Sequence, residues 1–264
     1  MPCKNCKTTL TETADYCYSC GAKVIRNRLT FKNLFNDFSE TYLNFDNAFL
    51  KTFLTLFTKP EDVIDSYIYG TRKKYANVIS YFALAITLSG LYLVILKKFF
   101  PEALDYSSLN FSPQQAEFQK KNMTFVEEYQ SLLMMLYVPL YAIMARVSFA
   151  GIKKYNYTEL LVVFLYIQAQ ISIVSAILGV ILSAVGMNQG EMSMLLIPLM
   201  ILYAAFCLKR LYNLNFQNIV LRTLLFFAVL IVVFIIISVI MTIIMFLNGD
   251  IQQMIDAQKA ASRT

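Results

Sequence analysis

The 264-residue chain contains no histidine and no tryptophan. Without His there is no Ser-His or Cys-His nucleophilic couple, no imidazole proton shuttle and no mixed Cys/His metal site. Charge is also scarce. Asp, Glu, Lys and Arg make up 15% of the residues, against about 25% in soluble domains. No Asp or Glu lies deep in any long apolar run, which argues against a proton-coupled pump. The first residues, MPCKNCKTTL, are polar and carry cysteine. A cleavable signal peptide is therefore not expected, and the first apolar span, near residue 77, would act as an internal signal.

What the chain has instead is apolar length: 58% of it is hydrophobic. The run Thr223–Leu247 has no charge, no Pro and no Gly. A helix needs about 20 apolar residues to cross a bilayer core, and a fully buried soluble helix of this length without a polar stripe is rare. Four further spans are expected, at about 77–96, 131–150, 160–185 and 193–208, with the last at about 223–247. The fourth reads as short. Pro139 and Pro198 fall inside spans, where neighbouring helices can satisfy the freed carbonyl. Residues 248–264 form a polar tail.

The net charge of +6 could suggest nucleic acid, but the basic residues are divided among short loops beside the spans, so none is expected. Seventeen of the 23 Lys and Arg fall on the side of residues 1–76, the loop at 151–159 with Arg146 beside it, and the loop at 209–222. The positive-inside rule then places the N-terminus in the cytosol and the C-terminus outside, in a cytoplasmic (inner) membrane.

Residues 1–24 hold four of the five cysteines, as Cys3-x2-Cys6 and Cys17-x2-Cys20-Gly21. Two such knuckles supply four thiolates, the closed tetrahedral set of a structural zinc ribbon. The segment is too small to bury a core, so the metal would supply its folding energy. Disulfides in an exported domain are the alternative, disfavoured by the cytosolic placement. Iron–sulfur and redox-dithiol sites also remain open.

Residues 25–76 read as cytosolic or interfacial amphipathic helices. Phe31, Leu34, Phe35, Phe38, Tyr42, Phe45, Phe49, Phe53 and Leu56 follow steps of three and four, with Thr30 as a candidate N-cap. This stripe could lie on the membrane or pack on protein. A second helix begins at Pro60, with Glu61 and Asp62 at its positive end, and Gly70 closes it.

Taken in order, CKNC…CYSCG, Arg26/Arg28, FKNLFNDF and LFTKPEDVIDSYIYGTRKKY lead into a hydrophobic bundle. This order resembles an uncharacterised family of bacterial multispan proteins, filed as a domain of unknown function, with a shared TKP…Y..G.R..Y block. The resemblance covers most of residues 1–95. The five-span bundle is also similar, by topology alone, to Yip-type membrane proteins. Neither family implies a reaction or a catalytic residue.

The fold expected is thus an all-α integral membrane protein, a five-helix transmembrane bundle with a small N-terminal zinc ribbon and an amphipathic helix. Within the third span, Gln168, Ser172 and Ser175 share a face. They could line a solute path or hydrogen-bond to neighbouring helices. Arg146 could snorkel to the surface or pair with Glu159 at the membrane edge. Cys207 reads as packing, and Tyr67, Tyr69, Tyr75, Tyr81 and Tyr92 as an aromatic belt at headgroup level. No enzyme is expected. The reading is a scaffold or assembly factor in the bilayer whose zinc ribbon and aromatic helix engage a cytosolic protein partner. The alternative is a small-solute permease or channel built on the polar face of the third span.

Overall fold

In the computed structural model, the described residues are 1–22, 24, 30, 45–71, 73–104, 124–152 and 154–247. Most of the aromatic stripe before Phe45, its Thr30 cap and the 248–264 tail lie outside them or rest on residues that do. The chain divides into two compact units, Met1–Leu50 and Lys51–Thr264.

In the first unit, residues 1–24 are turns joined by one isolated antiparallel bridge between Pro2 and Thr9. Its small core is Cys3, Leu10 and Cys17, with Ala14, Ala22 and Val24 packed against them. Helix α1 (Phe45–Thr58) begins in this unit and ends in the next.

In the second unit, α2 (Pro60–Ile68) starts on Pro60 with Glu61 and Asp62 in its first turn. Five helices long and apolar enough to cross a membrane follow: α3 (Val78–Phe99), α4 (Gln130–Ser148), α5 (Tyr157–Ala184), α6 (Gln189–Tyr212) and α7 (Phe216–Leu247). Among the described residues this unit has no strand. Helices meet what lipid requires, because each one satisfies its own backbone.

The helix that carries the fourth span, read at about 193–208, extends beyond it at both ends: α6 has 24 residues. Its start is set by a capping box rather than by hydropathy. Asn188 accepts from the Glu191 N–H, and the Glu191 carboxylate accepts from the Asn188 N–H. The same Asn-x-x-Glu device starts α5 at Asn156 and Glu159. Both boxes close two otherwise orphan N–H groups. At its far end α6 keeps Lys209 and Arg210 in the last turn and stops at Asn213, in the left-handed region.

Helix α5 lies at the centre and packs against α2, α3, α4 and α6. Its approach to α3 is close because Gly179 has no side chain. A Cβ there would stand 2.6 Å from the Tyr92 hydroxyl oxygen. Small residues at such crossings let membrane helices approach. Helix α7 packs on α4 and α6, but the side chains described from Ile231 to Val239 are mostly exposed, as suits lipid contact.

The expected tyrosine belt is corrected. Tyr81 is 1% exposed and Tyr75 is buried, and only Tyr69 of the five is largely exposed. Tyr81 donates to Gln170 Oε1, and Tyr75 donates to Asp62 at 2.6 Å. Their hydroxyls are consumed inside the protein, so they do not serve as headgroup anchors.

Candidate metal centre and intramembrane cavity

The turns of residues 1–24 bring four sulfurs together. The Sγ atoms of Cys3, Cys6, Cys17 and Cys20 all lie within 4.8 Å of one another. Two of the separations are 3.7 Å (Cys3–Cys20) and 3.5 Å (Cys6–Cys17). A tetrahedron of metal–sulfur bonds of about 2.3 Å places its sulfurs about 3.8 Å apart, so the four thiols fit a single metal ion. Cys3 and Cys17 are buried, and Cys6 and Cys20 are exposed.

The two knuckles repeat one backbone pattern. Lys7 N–H donates to the Cys3 carbonyl and Gly21 N–H to the Cys17 carbonyl. Cys3 N–H donates to Thr8 and Cys17 N–H to Ala22. Each turn ends on a left-handed residue, Lys7 (φ 63°) and Gly21 (φ 70°). Gly21 meets this need at no cost, while Lys7 carries a Cβ in a region that L-residues disfavour.

The thiols are not equivalent. The Thr8 hydroxyl and N–H draw Cys6 down to about 6. At Cys17 the Cys20 N–H pulls down most strongly, yet burial and the Cys20 and Cys6 thiols together leave it at about 11. A metal ion loading this site must therefore displace protons.

In the bundle, Gln168, Ser172 and Ser175 line one cavity of about 280 Å³, together with residues of α3, α4 and α6. Ser172 Oγ reaches Met134 Sδ of α4 at 3.8 Å. Gln168 and Ser175 have no hydrogen-bond partner among the described residues. Gln170, which the sequence placed off this face, makes the interhelical bonds: it accepts from Tyr81 and donates to the Phe53 carbonyl at 3.1 Å. Helical spacing put it off the face of Gln168, but nothing in the apolar run marked it as the residue that bonds to other helices. Cys207 is fully buried.

Arg146 and Glu159 line a second cavity, of about 540 Å³, with Lys154, Tyr155 and Tyr212. They are not an ion pair there. The Glu159 carboxylate accepts from the Asn156 N–H at 2.7 Å, in the capping box.

Three acids of α2 reach three different elements. Glu61 accepts from Arg210 at the end of α6. Asp62 accepts from Lys74 at 2.7 Å and from Tyr75, both ahead of α3. Asp65 accepts from Tyr155 at 2.6 Å, ahead of α5, where Lys154 pairs with it at 3.4 Å. The Lys74 ammonium and the Tyr75 hydroxyl hold the Asp62 carboxyl below its usual range. From α1, Thr52 Oγ1 accepts from the Ala76 N–H, and the Leu56 carbonyl accepts from Tyr203 of α6 at 3.2 Å. One face of residues 52–58 therefore packs on protein: Thr52 and Leu56 have no exposure at all, while Leu54 and Phe57 are exposed.

These features define an all-helical multispan membrane protein with an N-terminal cysteine cluster able to hold one metal ion. Residues 46–90 match a family model described as "Protein of unknown function (DUF3667)". The match takes in most of α1, all of α2 and the first half of α3, and with the five apolar helices it fits an uncharacterised multispan family. No curated protein and no solved structure matches the chain.

Proposed function

We propose that this is a non-catalytic membrane scaffold whose N-terminal segment, folded around structural Zn²⁺, engages a protein partner in the cytosol. The observation that carries this reading is the closed cysteine set. Four thiolates complete the tetrahedron of a structural zinc site and leave no open position for a catalytic water. The metal's role is then to hold a surface. That surface carries Tyr16 and Tyr18, 60% and 78% exposed beside the second knuckle. Tyrosine is among the residue types that dominate binding energy at protein interfaces. The lack of His and of acids at membrane depth supports the absence of a reaction.

The test is co-purification of the full chain from native membranes in mild detergent. A stoichiometric soluble partner is expected, and it should be lost in Cys17→Ser/Cys20→Ser. Equal recovery with and without the two cysteines defeats the reading. The cytosolic placement is tested separately. A reporter active only outside the cytosol should be active after Thr264 and silent after Gly151, and two silent fusions overturn it.

A second reading, a small-solute permease, draws support from one observation, the cavity over the polar face of α5. Transport of a small neutral solute into proteoliposomes is its test.

A further inference from the structure

Where α4 stops, α5 starts and α6 stops, the chain forms a partly open cavity of about 540 Å³. That volume falls within the roughly 300–1,000 Å³ of small-molecule pockets. Among the described residues its lining carries two cations, Arg146 and Lys154, and one acid, Glu159. The three are not equally committed. Glu159 Oε2 is held by the Asn156 N–H in the capping box of α5. The Lys154 ammonium donates to the Leu211 carbonyl at 2.5 Å and lies 3.4 Å from Asp65, which leaves one of its three N–H groups over. Arg146 makes no hydrogen bond or ion pair with any described residue. A guanidinium offers five N–H donors in a planar fork that matches the oxygens of a phosphate. Asn156 and Tyr212 add an amide and a hydroxyl to the same lining.

The surroundings of Arg146 say where such a phosphate comes from. Arg146 lies in the last turn of α4, inside a helix long and apolar enough to cross a membrane. Ile143, three residues before it on the same helix face, and Val147, next to it, are both exposed. Exposed aliphatic side chains in a span are covered by acyl chains. At the end of that span the guanidinium reaches the level of the headgroups. Depth alone would let it meet any lipid phosphate. The cavity adds a second cation, fixed by the Leu211 carbonyl and Asp65, and so gathers positive charge in one concave place. Basic pockets of this kind between span ends suit anionic headgroups. A zwitterionic headgroup would bring its own ammonium beside Arg146 and Lys154.

We propose that this cavity holds the phosphate of an anionic lipid headgroup. The Arg146 fork donates to the two non-bridging phosphate oxygens, and the remaining Lys154 N–H donates to one of them. The acyl chains run along Ile143 and Val147. The inference is independent of the scaffold and permease readings, and it holds whichever side of the membrane this end of the bundle faces.

The test uses the full chain in phosphatidylcholine nanodiscs. It compares phosphatidylglycerol with phosphatidylcholine, each carrying the same photoactivatable acyl chain. Phosphatidylglycerol should label the second half of α4 about fivefold more, the factor given by about 1 kcal/mol of attraction per basic residue. Arg146→Gln should bring the two probes level with an unchanged elution profile. Lys98→Gln, in the last turn of α3 and so at the opposite end of that span, should leave the difference as it is. Equal labelling of the parent protein overturns the proposal, whether or not the variants fold. A difference that survives in folded Arg146→Gln overturns it too, as does one that Lys98→Gln also removes, since overall charge would then account for it. Displacement of the lipid label by excess inorganic phosphate at constant ionic strength overturns the lipid source in favour of a soluble phosphate.

Discussion

In residues 1–24 the buried side chains are two cysteines and a leucine, with three partly buried small or branched residues around them. Among the described residues of Lys51–Thr264 the buried set runs through α3, α4, α5 and α6, with Ile219 alone from α7, and includes large side chains such as Tyr81, Tyr166, Met144 and Leu211. The first region has little apolar surface to offset its chain entropy, and an ion held by its four sulfurs would supply what that core lacks. The second is solvated by lipid on the outside, so apolar burial contributes little to its specificity. What distinguishes one arrangement from another there is close packing and a few polar contacts. The two regions should therefore respond to different insults.

The largest expected effect separates them outright. Cys17→Ser/Cys20→Ser should abolish metal in elemental analysis of the purified protein, while membrane insertion and the detergent elution profile stay as in the parent. Structural zinc contributes on the order of 10 kcal/mol or more to small metal-dependent folds, so no partial loss is expected. A collapsed elution profile would make the two regions one folding unit and end the comparison.

Within the bundle, Gly179→Leu should be the most damaging of the packing changes, at about 1–3 kcal/mol. The new side chain occupies the position of the Tyr92 ring, 2.6 Å from even a Cβ. Thermal unfolding in detergent should show the loss, and Gly179→Leu/Tyr92→Ala should recover part of it. Full stability of the single variant would show that α3 and α5 do not approach as described.

Gln170→Leu is expected to cost about 1–2 kcal/mol, because it leaves the buried Tyr81 hydroxyl without its acceptor. Gln168→Leu, on the cavity side, should cost less. The same thermal measurement ranks the two, and the opposite order would reassign the interhelical bond.

In the cysteine region, Lys7→Gly should stabilise the metal-bound form by about 1 kcal/mol, since Lys7 holds φ 63° where Gly21 holds φ 70° without strain. Slower metal loss to a chelator is the readout. Slower loss from Gly21→Ala would contradict it.

The smallest effect is a pH dependence. The Asp62 carboxyl is depressed in the folded protein, first by Lys74 and then by Tyr75. A depressed acid contributes stability above its unfolded value and loses it as pH falls through the folded one. The contribution should be present at neutral pH and fade below about pH 4, where an ordinary Asp titrates. Because the Asp62 side chain is 40% exposed, the effect should be modest. Asp62→Asn should flatten this part of the stability profile, and an unchanged profile would show that the contact carries no weight.

Read alone, the residues determined the elements and their order. Apolar run length marked five spans, and two Cys-x2-Cys knuckles marked the segment whose four sulfurs come together. Pro60 with its two following acids marked the start of α2. Each is a local signal, because span length, ligand type and N-terminal charge do not depend on what lies across the bundle. The start of α6 was also local, written in Asn188-x-x-Glu191, but hydropathy alone missed it. Only the tertiary structure decided which polar groups face each other. Gln168 and Gln170 are two residues apart in one apolar run, yet one lines a cavity and the other bonds Tyr81 and the Phe53 carbonyl. Glu61 and Asp62 looked like charge for a helix end, yet they and Asp65 each reach a separate part of the chain. In lipid, hydropathy sets only which segments enter the bilayer. How a segment is rotated and what it bonds depend on partners that are distant in sequence, and those partners appear only when the helices pack.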